Sequence, residues 1–92
     1  MSYALEFTED ALEGIEYLKK TGDKGALKKL EALLNELTEH PRTGTGQPEE
    51  LKYNFTGCWS RRISGKHRLV YKIDEERIIV IVLHTSGHYK DK

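Results

Sequence analysis

A carboxylate (Glu49), three cations (Lys52, Arg62 and Arg68), an imidazole (His88) and a phenol (Tyr89) have the side-chain types that acid–base chemistry on a phosphate requires. Cleaving an RNA linkage without a metal takes few parts. A base removes the 2′-hydroxyl proton, cations hold the charge that builds on the phosphorane, and an acid protonates the departing 5′-oxygen. Glu49 is the type of residue that serves as the base, Arg68 with Lys52 or Arg62 as the clamp, and His88 as the acid. The nucleophile belongs to the substrate, so no activated Ser or Cys is needed. Each residue also has a plain reading. Glu49 follows Pro48 and suits a solvated loop, His88 suits an exposed surface near the end of the sequence, and Tyr89 suits packing against a sheet edge.

Other chemistries find less support. His84 and His88 stand four apart, as a helical metal pair would, but they follow a strand pattern and lack a nearby Cys or carboxylate partner. The sequence has neither an H-E-x-x-H motif nor the clustered Asp pair of a two-metal nuclease, so neither a metal nor a cofactor is expected. Ser60 and Ser64 lack the surroundings of a nucleophile elbow. Gly44-Thr45-Gly46 lacks the Lys-Ser/Thr of a phosphate loop. A single Cys58 argues against an internal disulfide framework and against a multi-cysteine zinc site.

The elements that must position these residues read as one domain over residues 1–92. Tyr3 to Phe7 alternates apolar and polar and predicts a first strand. Thr8 is placed to cap a helix with Glu9 and Asp10 in its first turn, Ala11, Leu12, Ile15 and Leu18 at helical spacing, and Gly22 as its stop. Asp23 is placed to cap a second helix with Leu27, Leu30, Leu34 and Leu37 as its stripe, ending near His40-Pro41. Residues 42–48 are loop by composition. Three strands are expected at Cys58–Ile63, His67–Ile73 and Arg77–Leu83, with turns at Ser64-Gly65 and Asp74–Glu76. The last of them, apolar from Ile78 to Leu83, should be buried on both faces. The fold class is therefore α+β: two N-terminal helices forming a hairpin on one face of a mostly antiparallel four-stranded sheet. Strand alternation sends Trp59, Arg61 and Ile63 to one face and Ser60 and Arg62 to the other. His67, Leu69, Tyr71 and Ile73 face the helices, which leaves Arg62 and Arg68 on the opposite, open face.

Composition bounds the partners. No apolar run is long enough to span a membrane, and the N-terminus lacks the basic and apolar stretches of a secretory signal, so a cytoplasmic protein is expected. The formal net charge is zero but uneven. Residues 1–50 hold six basic and eleven acidic side chains, whereas residues 51–92 hold nine and four. From Lys52 to Lys72 there are six basic residues and no carboxylate, which suits a polyanionic partner as well as a solvated strand surface.

Four blocks then appear in order. They are Gln47-Pro48-Glu49-Glu50-Leu51-Lys52, Gly57-Cys58-Trp59-Ser60-Arg61-Arg62-Ile63, His67-Arg68-Leu69-Val70-Tyr71, and the late His88-Tyr89. Together they closely resemble the YoeB/Txe family of bacterial toxins within the RelE-like superfamily, and the resemblance runs over nearly the whole chain. It implies the toxin of a type II toxin–antitoxin system, a ribosome-dependent endoribonuclease that cuts mRNA in the A site. It also implies a small cognate antitoxin of the YefM/Axe type. By position in the motifs, Glu49 resembles the general base, His88 the general acid and Arg68 the phosphate-stabilising arginine, with Lys52, Arg62 and Tyr89 supporting the substrate. The sequence departs from the pattern by continuing through Lys90-Asp91-Lys92 and by a longer stretch from Leu83 to His88, so His84 rivals His88 as the acid. Glu50 rivals Glu49, although the spacing to Lys52 favours Glu49. A monomer and a homodimer both fit the composition. The alternative function is a non-catalytic RNA- or ribosome-binding domain, and a third is a decayed toxin that only binds an antitoxin-like chain.

Overall fold

Local capping and alternation set the elements, as expected, in the computed structural model, which describes residues 2–52 and 55–87. In chain order they are β1 (Ala4–Phe7), α1 (Glu9–Lys20), α2 (Lys24–Leu37), β2 (Glu49–Glu50), β3 (Cys58–Arg62), β4 (Arg68–Asp74) and β5 (Ile79–His84). Thr8 caps α1 by accepting the Ala11 N–H at 3.2 Å, and Asp23 caps α2 by accepting that of Ala26 at 3.1 Å. The second helix stops earlier than expected, at Leu37. Thr38 closes it with its hydroxyl on the Asn35 carbonyl, and the chain then turns toward Pro41.

The sheet has five strands in the order β1-β5-β4-β3-β2. β1 runs parallel to β5, and every other pair is antiparallel. The strand beyond the four expected is β2, two residues that pair as Glu49 with Ser60 and Glu50 with Trp59. Two acidic residues carry no alternating apolar pattern, so nothing local in the sequence marks this strand.

Both helices cover one face. Ala11, Leu18, Leu30, Leu33 and Leu37 form the core with Leu69, Tyr71, Val80 and Val82 of the central strands. The helical faces are rotated slightly from the expected stripes. Leu12 points outward at 51% exposure, Leu27 and Leu34 are half-buried, and Ala26 and Leu33 take the buried positions. Gly14 explains the rotation of α1. A Cβ there would lie 2.2 Å from Thr85 Oγ1, so the glycine lets the helix settle onto the segment after β5. Thr85, fully buried, donates its hydroxyl to the Ala11 carbonyl at 2.6 Å across the same contact.

β5 is central, and Ile79, Val80 and Val82 are buried, but Ile81 and Leu83 are only partly covered. The expectation of burial on both faces holds in full on the helix side, where Val80 and Val82 join the core, and on the other side for Ile79 but not for Ile81 and Leu83. Among the described residues no helix is long and apolar enough to cross a membrane.

Candidate functional site

The open face is assembled by register. Arg62 of β3 lies directly opposite Arg68 of β4, and Ser60 opposite Val70, while Glu49 of β2 lies opposite Ser60. Cross-strand partners share a face and alternate residues repeat it, so Glu49, Ser60, Arg62, Arg68 and Lys72 all stand on the side away from the helices. Adjacent strands are spaced by ~4.8 Å, so the β2 and β4 backbones flank β3 at roughly 10 Å from each other, a gap that their long side chains can close. Ser60 links them: it is buried, and its Oγ accepts a hydrogen bond from Arg68 Nη1 at 3.3 Å. Arg68 is half-buried, whereas Glu49, Lys52 and Arg62 are exposed. Arg68 therefore has one guanidinium nitrogen oriented within the protein on an otherwise open, cationic surface.

The loop leading to Glu49 is held from beneath by Arg61. This guanidinium is fully buried and directs all five N–H groups to protein acceptors. Nε donates to the Tyr71 hydroxyl at 3.1 Å, Nη1 to Glu36 Oε1 at 2.8 Å and the Thr45 carbonyl at 3.3 Å, and Nη2 to the His40 and Thr43 carbonyls. Tyr71 in turn donates to the Pro41 carbonyl at 2.7 Å, and Glu36 accepts the Thr45 N–H at 2.9 Å. Hydrogen bonds from Thr45, and then from Arg61, hold the Glu36 carboxyl below its ordinary range. Burial pushes the Tyr71 phenol up, against the opposing pull of Arg61. On the other side of β3, the Arg62 N–H donates to the Gly46 carbonyl at 2.7 Å, which seats the loop three residues before Glu49.

Burial likewise raises the Cys58 thiol, with Lys72 opposing it, so this cysteine has the character of a packing group rather than a nucleophile. His84 lines a cleft with Asp10, Glu13, Gly14 and Tyr17 of α1 and with Ser86. His88 and Tyr89, expected as acid and substrate contact, lie outside the described residues. Among the described residues no group of three or more His, Cys, Asp or Glu side chains is placed to hold a metal ion.

The sequence did not point to Ser60 as the link between β2 and β4, nor to Arg61 as the support of the loop. The alternation that pairs Ser60 with Arg62 was the available signal for the first. The acceptors of Arg61 come from residues 36–45 and Tyr71, so no local pattern marks the second.

This fold and face define the class of small toxins to which RelE and ParE give their names. A "YoeB/ParE toxin from Agrobacterium tumefaciens" superposes with a TM-score of 0.86 at 31% identity, covering 94% of this chain and 99% of that one. The chain belongs to the family of YoeB-like toxins of bacterial type II toxin–antitoxin systems, whose pattern it matches over residues 7–89. It is 37% identical over 76 residues to toxin YoeB of Escherichia coli K12, covering 83% of this chain and 89% of that protein. It is also similar to a chain of the heterotetrameric YoeB–YefM toxin–antitoxin complex from Staphylococcus aureus, with a TM-score of 0.80 at 34% identity over 97% of this chain and 100% of that one.

Proposed function

We propose that this toxin is a ribosome-dependent endoribonuclease that cuts mRNA in the A site, without a metal, by attack of a 2′-hydroxyl on the adjacent phosphate. The observation that carries the reading is the shared face of Glu49, Ser60, Arg62 and Arg68, with Ser60 interposed between the carboxylate and the guanidinium. Glu49 serves as the base that removes the 2′-proton. Arg68, with Arg62 and Lys52, stabilises the charge on the phosphorane, and His88 protonates the 5′-oxygen, with Tyr89 helping to orient the nucleotide. The exposure of Lys52 and Arg62 suits them to phosphate contacts that steer a polyanion onto the sheet.

The base and acid roles need opposite charge states. A glutamate ordinarily ionises near ~4.3 and a histidine loses its proton near ~6.5, so the rate should fall above neutrality as the acid is titrated. An antitoxin of the YefM/Axe kind, as in the Staphylococcus complex, would silence the toxin by laying an acidic segment over the Arg62/Arg68 surface. The toxin works in the cytoplasm, where ribosomes are.

The test is expression with cleavage assayed on programmed ribosomes. Growth arrest and mRNA cleavage should be lost in Arg68→Ala and Glu49→Gln, by about a hundredfold or more in rate. Both should persist in Lys28→Ala, on the outside of α2. Salt-sensitive RNA binding with no cleavage by the parent would replace the enzyme with a binding domain. A rate flat from neutrality to alkaline pH would remove His88 from the acid role.

A further inference from the structure

We propose that His67 is a positioning residue for this reaction: its imidazole, through the Nδ1 lone pair, fastens Gly87 against the backbone of Arg68 and so helps to hold that arginine in place. The proposal rests on the reading in which Arg68 stabilises the phosphorane. His67 is only 7% exposed and immediately precedes Arg68, the first residue of β4. The Gly87 N–H donates to His67 Nδ1 at 2.7 Å, and the Gly87 carbonyl accepts the Arg68 N–H at 2.9 Å. Two successive residues, the one before β4 and the first of β4, thus grip both polar groups of a single glycine. Gly87 has a φ of 70°, a left-handed conformation that glycine adopts without steric cost, and the next peptide leads into His88.

The tautomer follows from elementary chemistry. A backbone N–H can only donate, so Nδ1 must present its lone pair and the ring proton sits on Nε2. Nε2 lies 3.8 Å from Asp23 Oδ2 at the turn between the helices. Tyr17 of α1 meets the ring edge-on at 6.4 Å between centroids, and Lys66 and Thr21 share the same cleft. On the far side, His84 Nε2 lies 3.3 Å from the Gly87 carbonyl. Among the described residues, the charged and titratable groups around the latch are Tyr17, Asp23, Lys66, Arg68 and His84. A second proton on His67 would go onto Nδ1 and set two donors against each other. The Gly87 bond is then lost, and with it one of the two contacts that hold Gly87 against Arg68.

The experiment pairs NMR of the full-length toxin with single-turnover cleavage. His67→Leu removes the acceptor and should reduce cleavage at least tenfold near neutral pH, a loss of one hydrogen-bonded contact's order. His67→Asn places an amide oxygen near the Nδ1 position and should restore most of that loss. The Gly87 amide resonance should move in His67→Leu and return toward its parent position in His67→Asn, and ¹⁵N shifts of the parent should show an unprotonated Nδ1 at neutral pH. A protonated Nδ1 at neutral pH, a Gly87 amide indifferent to His67, or an Asn variant no better than Leu would overturn the proposal. If the Gly87 amide follows His67 while the parent cleaves nothing, the latch stands and the nuclease reading fails.

Discussion

Arg61 and Arg62 occupy successive positions of β3, and the pleat sends one guanidinium beneath the helices and the other onto the open face. The first has every donor spent on the protein, on the hydroxyl of Tyr71, the carboxylate of Glu36 and three loop carbonyls. The second is exposed beside Arg68. The pair shows that residue type alone does not decide whether a cation is built into the protein or left facing solvent. What separates them is whether the N–H groups end on the protein or point to where a phosphate can arrive. The covered face thus builds the rigid floor on which the open face displays its charges, and the loop before Glu49 belongs to both.

The comparison breaks most visibly at Arg61. Replacing it with Met leaves the partly exposed Glu36 carboxylate, a phenol and three carbonyls without this donor. Urea denaturation should show a loss of about 3–5 kcal/mol, the order seen when one partner is removed from a buried charge network. Glu36 sharpens it through pH. Its folded-state carboxyl lies below the ordinary value of 4.5, so its contribution is fully present above the unfolded value and fades as pH falls through the lowered, folded one. The stability difference between the parent and Glu36→Gln, followed by thermal melts from neutrality downward, should therefore shrink at acid pH. A difference that grew there would assign the wrong sign to the network. The smallest effect belongs to Arg62→Met, which should change stability by no more than about 0.5 kcal/mol while impairing cleavage.

Much of this arrangement could be read from the sequence because its causes are local. Thr8 and Asp23 announced both helix starts, and the alternation around Ser60, Arg62, Arg68 and Val70 sorted the two sheet faces correctly. The parts that escaped depend on distant partners. The Glu49–Glu50 strand exists because β3 offers it an edge, not because two glutamates favour extension. The helical stripe shifted toward Leu33 and away from Leu12, and on α1 the close approach at Gly14 to Thr85, seventy-one residues later, decided the rotation. Of the expected site, Glu49, Arg62 and Arg68 share the open face by register, Lys52 is exposed two residues beyond β2, and Arg61, which supports the loop before Glu49, carries no pattern of its own.

In the proposed reaction a carboxylate from β2 and a guanidinium from β4 act on the same phosphodiester. A double-mutant cycle on single-turnover cleavage of ribosome-bound mRNA tests it most directly. Glu49→Gln and Arg68→Ala should each slow cleavage by about a hundredfold or more, and the double variant should lose far less than the product of the two. Either single variant cleaving within about threefold of the parent, or losses that multiply in full, would contradict it.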